Sequence, residues 1–471
     1  MIYYCDSING LDANPGTLEL PLQTIAGLVA ADAANPASIW RLKMDSRWKE
    51  QITVPRNGMT VESYGVGTNK PLLDASDTIP AGAWSKTPGC TFVYQAGAVI
   101  TGACATAWVS AWESDVRMVR AASLAACDAT AGSYFPSSDS TSPITLYIHP
   151  LDGTDPAANG KVYEYSARWC GLTSFSVTGS VVRGLWTRRN YYNNGSLIVG
   201  QNSCVYDCLA TEGTKHNVYA RQGSYLNGVV ARQAYYTVGN LTMFVHYEDV
   251  ASGNVSYVNC TADLQRTPNV NDTGFFGHQG VSGAFLNVSH TNCSAIGLNI
   301  GFSGVQTVNW SCNYCTATGC ANAFVPDATY NLLQGCTASG TGTIRAVYIN
   351  AAGVIVDIRS CNFAPSNAYS NAGILIIAAH VTLRIYDSVV SGTGVFALQN
   401  TAASFDEFVS LRNSFSNTAW YYLCSGSAPT LLTSDYNAFS GGVSGSKFQI
   451  GSTQYTYAAY KAATAQDSHS V

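Results

Sequence analysis

Charge is what this chain has least of. Asp, Glu, Lys and Arg make up 11% of its 471 residues, against about 25% in an average soluble protein. The formal net charge is −5, which leaves no basic footprint for DNA or RNA. No run reaches the ~18 consecutive apolar residues of a membrane span. The segment after Met1 lacks the basic and apolar regions of a secretory leader. That leaves two expectations: a leader already removed, or another route out of the cell, such as a virus particle. Fifteen cysteines are too sparse in a chain this long for a disulfide scaffold. What is abundant is Gly, Ser, Thr, Asn and aromatic residues. Uncharged polar surface with many rings suits carbohydrate. Length allows two or three domains, or one elongated one.

A short pattern recurs from residue 204 onward. Its instances begin at Cys208, Cys260, Cys293, Cys315, Cys336 and Cys361, at intervals of 52, 33, 22, 21 and 25 residues. The first interval is two repeats, with Ala234 in the missing slot, and Ser388 and Ser414 continue the series. The residue before the marker is often polar: Asp207, Asn259, Asn292, Asp387, Asn413. A period of 20 to 50 residues signals a repeat architecture. Between markers, apolar and polar residues alternate and Val, Ile, Tyr and Phe dominate, as in Val381-Thr-Leu-Arg-Ile-Tyr386. That is strand chemistry. The expected fold is therefore all-β, a β-solenoid whose coils stack at about 4.8 Å. The marker cysteines would form an inward column of core thiols, and the preceding Asn or Asp would satisfy backbone groups at a bend. Cys312 and Cys315 look like half a zinc site, but no second pair stands at suitable spacing.

The opening stretch, Asp6-Ser-Ile-Asn-Gly-Leu-Asp-Ala-Asn-Pro-Gly-Thr17, holds two tight turns and runs into Pro21-Leu-Gln-Thr-Ile25 and a short amphipathic segment. Together with the coil pattern it resembles the right-handed parallel β-helix, or pectate-lyase-like, superfamily. That group includes polysaccharide lyases, some glycoside hydrolases and phage tail-spike depolymerases. The resemblance implies one right-handed β-helix domain over 1–471. Residues 1–83 would be a helical cap and first coils, with Thr24 to Ala31 covering the N-terminal end. Residues 84–165 break the coil rhythm and read as a β-rich insertion; about ten regular coils would fill 166–435, and a C-terminal segment 436–471. His149, before Pro150, reads as structural. Such a protein would be extracellular or virion-associated, a monomer, or a trimer if a tail spike, with a polysaccharide as its partner. No cofactor is implied with certainty, and no acidic cluster suits catalytic calcium.

In so uncharged a chain, ionisable clusters stand out. Aligning Val218, Val245 and Phe276 as inward residues puts Tyr219, His246 and Gly277 outward, with Arg221, Glu248 and Gln279 two positions on. Lys215, His216, Tyr247 and His278 lie close in sequence, and the overlong loop 265–274 carries Arg266. Arg183, Arg188 and Arg189 precede the cluster. Coils after 300 show no comparable grouping. The expected chemistry is β-elimination on a uronic-acid polymer: Lys215, Arg221 or Arg232 neutralises the carboxylate, His246 removes the proton, and Tyr219 or Tyr247 protonates the leaving oxygen. His216, His278, Arg266 and Arg189 would bind substrate. In the alternative, a glycoside hydrolase or tail-spike depolymerase, Glu248 works with a second carboxylate such as Asp207, Glu212 or Asp263. A third reading is a non-catalytic sugar-binding adhesin.

Overall fold

The computed structural model describes residues 1–100, 109–138, 143–191, 195–233, 241–247, 253–265, 268, 272–278, 285–305, 307–365, 372–391, 396–402, 404–416, 420–425, 428–440, 448–450 and 452–471. The chain is an all-β parallel solenoid of about 14 turns, with three long sheets of 14, 14 and 13 strands among the described residues. A regular turn gives one short strand to each sheet; at the end of one sheet Thr453–Tyr455 instead pairs antiparallel with Phe448–Ile450. Two compact units are formed: residues 1–200 with 207–219 and 234–237, and residues 201–206 with 220–233 and 238–471. No helix among the described residues is long and apolar enough to cross a membrane.

In the first unit the first sheet runs through Ile2–Cys5, Ile39–Lys43, Thr60–Tyr64 and Val181–Arg183, all parallel. The polar opening loop exists to start the helix Ile25–Ala34. The Asp12 carboxylate accepts from the backbone N–H groups of Gln23 and Thr24 and from the Thr24 hydroxyl. Thr24 is the N-cap and accepts from Gly27 N–H at 2.8 Å. A Cβ on Gly27 would stand 2.2 Å from Asp12 Oδ1, so loop and helix start pack without space between them. Ile25 and Leu28 are buried, and the Tyr3 hydroxyl donates to the carbonyls of Ala31 and Asn35.

The insertion begins at Ser76, eight residues before the expected edge at 84. Ser76–Ile79 pairs antiparallel with Tyr163–Ser166, which pairs in turn with Ala111–Glu113. A second sheet sets Ile144–His149 between Ser133–Pro136 and Tyr94–Ile100. Trp84, Tyr134, Leu146 and Tyr163 lie in the shared core. The solenoid resumes where it stopped: Trp186–Arg188 pairs directly with Leu72–Asp74. One turn is thus interrupted while its ladder stays continuous. His149 is buried, with Nδ1 3.0 Å from the Cys127 carbonyl.

In the second unit the cysteine column is confirmed. Cys260, Cys293, Cys315, Cys336 and Cys361 are buried free thiols. The residue before the marker takes a left-handed backbone in turn after turn: Asn259 at φ 51°, Asn292 at 52°, Tyr314 at 55°, Ser360 at 52°, Asp387 at 51° and Arg412 at 58°. Asn and Asp recur there because they tolerate that conformation better than other side chains. The last marker moves by one residue. Asn413, not Ser414, occupies the buried position and accepts from Ser388 N–H at 2.9 Å. Ser388 likewise accepts from Cys361 N–H, and Cys361 Sγ from Cys336 N–H. Each side chain satisfies the backbone of the turn before it. Facing this column, Phe244, Phe275, Phe302 and Phe324 stack with centroids 4.7, 4.8 and 5.3 Å apart.

Candidate functional site

The outer face of the first sheet in the second unit holds an open groove of about 380 Å³. Alternation builds it. In Thr307–Asn313, Trp310 and Cys312 are buried, leaving Asn309, Ser311 and Asn313 on the outside. Neighbouring turns contribute Asn287 and Ser289, then Tyr330 and Leu332, then Ile355, Asp357 and Arg359. Tyr330 is 52% exposed, a ring on open surface.

Charge gathers at one end of that groove. Register sets Asp357 opposite Arg384, and Thr382 opposite Glu407. Arg384 Nη2 lies 3.0 Å from Glu407 Oε2, and its Nη1 lies 3.7 Å from Asp357 Oδ1. Hydrogen bonding to Glu407 raises the Arg384 guanidinium above its ordinary value. Arg359 Nη2 donates to Asp357 Oδ2 at 3.1 Å and its guanidinium lies 5.8 Å from the Tyr386 ring centroid. The two carboxylate side chains remain 21% and 22% accessible. Asp327 sits in the loop that leads into the groove strand Tyr330–Gln334. Burial pushes its carboxyl up to about 7. The Asn350 amide, turned to donate, places its nitrogen 2.5 Å from Asp327 Oδ1.

The residues expected to form a site at 215–279 are placed differently. His246 pairs with Gly277 as aligned, but the faces are reversed. Phe244 and Phe275 stack inward, so His246, two residues on, also points into the core and is fully buried. Its Nδ1 lies 3.3 Å from the Tyr257 hydroxyl. Burial, then the neighbouring His290, lowers it to about 3. A period-2 pattern misread by one residue inverts every side chain. Arg189 is also corrected. It is buried and held by Glu164, Glu212 (Nε to Oε2, 2.5 Å) and Asp115 (2.9 Å), with Trp112 4.5 Å away. No part of its guanidinium is exposed for a sugar acid.

In the first unit, Tyr219 is buried beside Phe175, with ring centroids 6.2 Å apart. His216 is buried and Lys215 half-buried, its ammonium shifted down by burial. In the second unit, Arg221 is half-buried and Arg232 is 3.5 Å from Asp263 at the surface. Tyr247 and His278 pair across adjacent strands. Glu248 and Arg266 lie outside the described residues. The grouping Asp357, Arg359, Arg384 and Glu407 sits in the coils after 300, where no cluster is expected. Its signal is present: in Ile355–Arg359 and Thr382–Tyr386 the charges all fall on the alternate, outer positions.

No protein-family model matches the sequence, and no curated protein does either. Two solved structures resemble most of it. A structure of XylC in complex with xylose shares 10% identity over 96% of this chain and 86% of its own, with a TM-score of 0.55. A structure described as a glycoside hydrolase shares 8% over 88% and 96%, also at 0.55. At such identity the likeness is one of fold. The architecture is that of the parallel β-helix.

Proposed function

We propose that this chain hydrolyses a polysaccharide, with Asp357 and Glu407 as the paired carboxylates that face the sugar. The observation that carries the reading is a carboxylate pair held through one guanidinium, with Asp357 lining the open groove and Glu407 on the second strand beyond it. Glycoside hydrolysis needs one carboxyl to protonate the leaving oxygen and another to activate water or attack the sugar. The xylose complex and the glycoside hydrolase among structures of like fold support sugar chemistry. Elimination, which the sequence favours, loses the base assigned to it because His246 lies in the core. A polysaccharide partner goes with an extracellular or virion-associated setting, which belongs to the same proposal.

The test is a panel of neutral and acidic polysaccharides assayed both for new reducing ends and for the ultraviolet absorbance of an unsaturated sugar. Reducing ends without absorbance are expected. Asp357→Asn and Glu407→Gln should each lower the rate by at least ~100-fold while leaving the melting temperature near that of the parent. Absorbance would establish elimination instead. Wild-type rates in both variants would move the site elsewhere.

A further inference from the structure

Along the first sheet, the ion cluster lies at one end of the groove, and the strands before it show no charge on their described outer positions. On the first sheet, the outer positions of Tyr225–Asn227, Asn254–Val258, Phe285–Thr291 and Thr307–Asn313 that the structure describes carry no ionisable acid or base other than a tyrosine. They form two ladders in strict register. Asn254, Asn287 and Asn309 stand opposite one another, as do Ser256, Ser289 and Ser311. Asn287 Nδ2 donates to Asn254 Oδ1 at 2.8 Å, and Asn309 Nδ2 to Asn287 Oδ1 at 2.9 Å. Ser289 and Ser256 hydroxyls are 3.0 Å apart.

We propose that the substrate is an uncharged polysaccharide, bound lengthwise across the turns by the Asn254–Asn287–Asn309 and Ser256–Ser289–Ser311 ladders; this rests on the hydrolase reading of the same groove. A primary amide has two N–H donors and a carbonyl with two lone pairs. Within the ladder Asn287 uses one of each. One donor and one acceptor remain at that rung, the pair that a sugar hydroxyl, itself donor and acceptor, can satisfy. Rungs recur at about 4.8 Å, close to the length of one ring in an extended sugar chain. Tyr225 in register with Ser256 at one end and the exposed Tyr330 at the other supply faces for stacking. A uronic-acid polymer would need surplus cations, and the two arginines at that end, Arg359 in the groove lining and Arg384 on the next strand, are matched by Asp357 and Glu407. The charge balance here is neutral.

The experiment is affinity electrophoresis of the wild-type protein, run in the cold to slow cleavage, through gels containing arabinoxylan, galactomannan or mixed-linkage glucan, and separately alginate or pectate. At least one neutral polymer should retard the protein and the acidic ones should not. Adding Asn287→Ala with Asn309→Ala should weaken the retardation roughly 10-fold or more. The circular dichroism melting curve confirms that the coil stack survives those changes. Equal or tighter binding to alginate or pectate overturns the proposal, as does unchanged binding in the double variant, or no binding to any neutral polymer. The hydrolase reading fails separately. Wild-type protein that binds a neutral polymer without producing reducing ends sinks hydrolysis and leaves the ladder. Cleavage of a neutral polymer that ignores both asparagines sinks the ladder alone.

Discussion

At the scale of single residues, two imidazoles carry a consequence for stability. His246 and His290 are fully buried in the second unit, and burial lowers them to about 3 and about 4. His290 stacks on Tyr257 with centroids 5.1 Å apart. Both are neutral in the folded chain, whereas an unfolded chain takes up protons below about pH 6.5. Their contribution is therefore complete above pH 6.5 and falls as pH drops towards 4 and then 3. For His290 alone the loss is on the order of 3 kcal/mol. Denaturant midpoints measured from pH 7 to 4.5 should show this acid limb, and His290→Phe should flatten it. An unaltered limb in that variant would assign the acid sensitivity to other groups. The left-handed turn residue offers a second check. Ser360 is exposed with φ 52°, a conformation that costs a non-glycine residue about 1 kcal/mol. Ser360→Gly should raise stability by about that amount. Gly335→Ala should do the reverse more strongly, because its φ is +63° and a Cβ would meet the Tyr314 ring at 2.5 Å. Thermal midpoints moving in the other direction would refute the turn argument.

At the scale of elements, the insertion is fastened to its own unit by ions. Arg47 Nη2 reaches both Asp74 and Glu164, Arg188 Nε reaches Asp74, and Arg189 joins Glu164 to Glu212. Asp74 lies in a solenoid strand and Glu164 in the insertion strand Tyr163–Ser166. Burial raises the Asp74 carboxyl, yet Arg188, Arg189 and Arg47 bring it below its usual range. Removing one partner from such a network leaves a buried charge uncompensated, at a cost of about 3–5 kcal/mol. Arg189→Met should therefore lower stability by that amount and expose residues 84–165 to protease first. If the variant unfolds like the parent and resists cleavage there, the ions are incidental to docking.

At the scale of the whole molecule, the solenoid makes such a site possible because successive turns add rungs to each sheet, so residues 20 to 30 positions apart in sequence become neighbours on one face. Asp357, Arg384 and Glu407 come from three consecutive strands of the first sheet.

Period and turn chemistry were legible in the sequence. The cysteine spacing announced a stack of short strands. The polar residue ahead of each marker announced a bend, and the loop before Thr24 announced a capped helix. Those signals are local, and local backbone preference fixes them. The insertion was legible as a break in rhythm, though its edge at Ser76 was not, since Ser76–Ile79 reads as strand whichever partner it takes. What only tertiary structure decided was the facing of side chains. Phe244-Val-His246 and Phe275-Phe-Gly277 are apolar at adjacent positions, so alternation alone does not say which residues point inward. Stacking of Phe244 on Phe275 settled it and drew His246 inside. Arg189 was decided in the same way, by carboxylates from segments 23 to 74 residues away that enclose it. A charge looks available in sequence until the fold supplies its counter-ion.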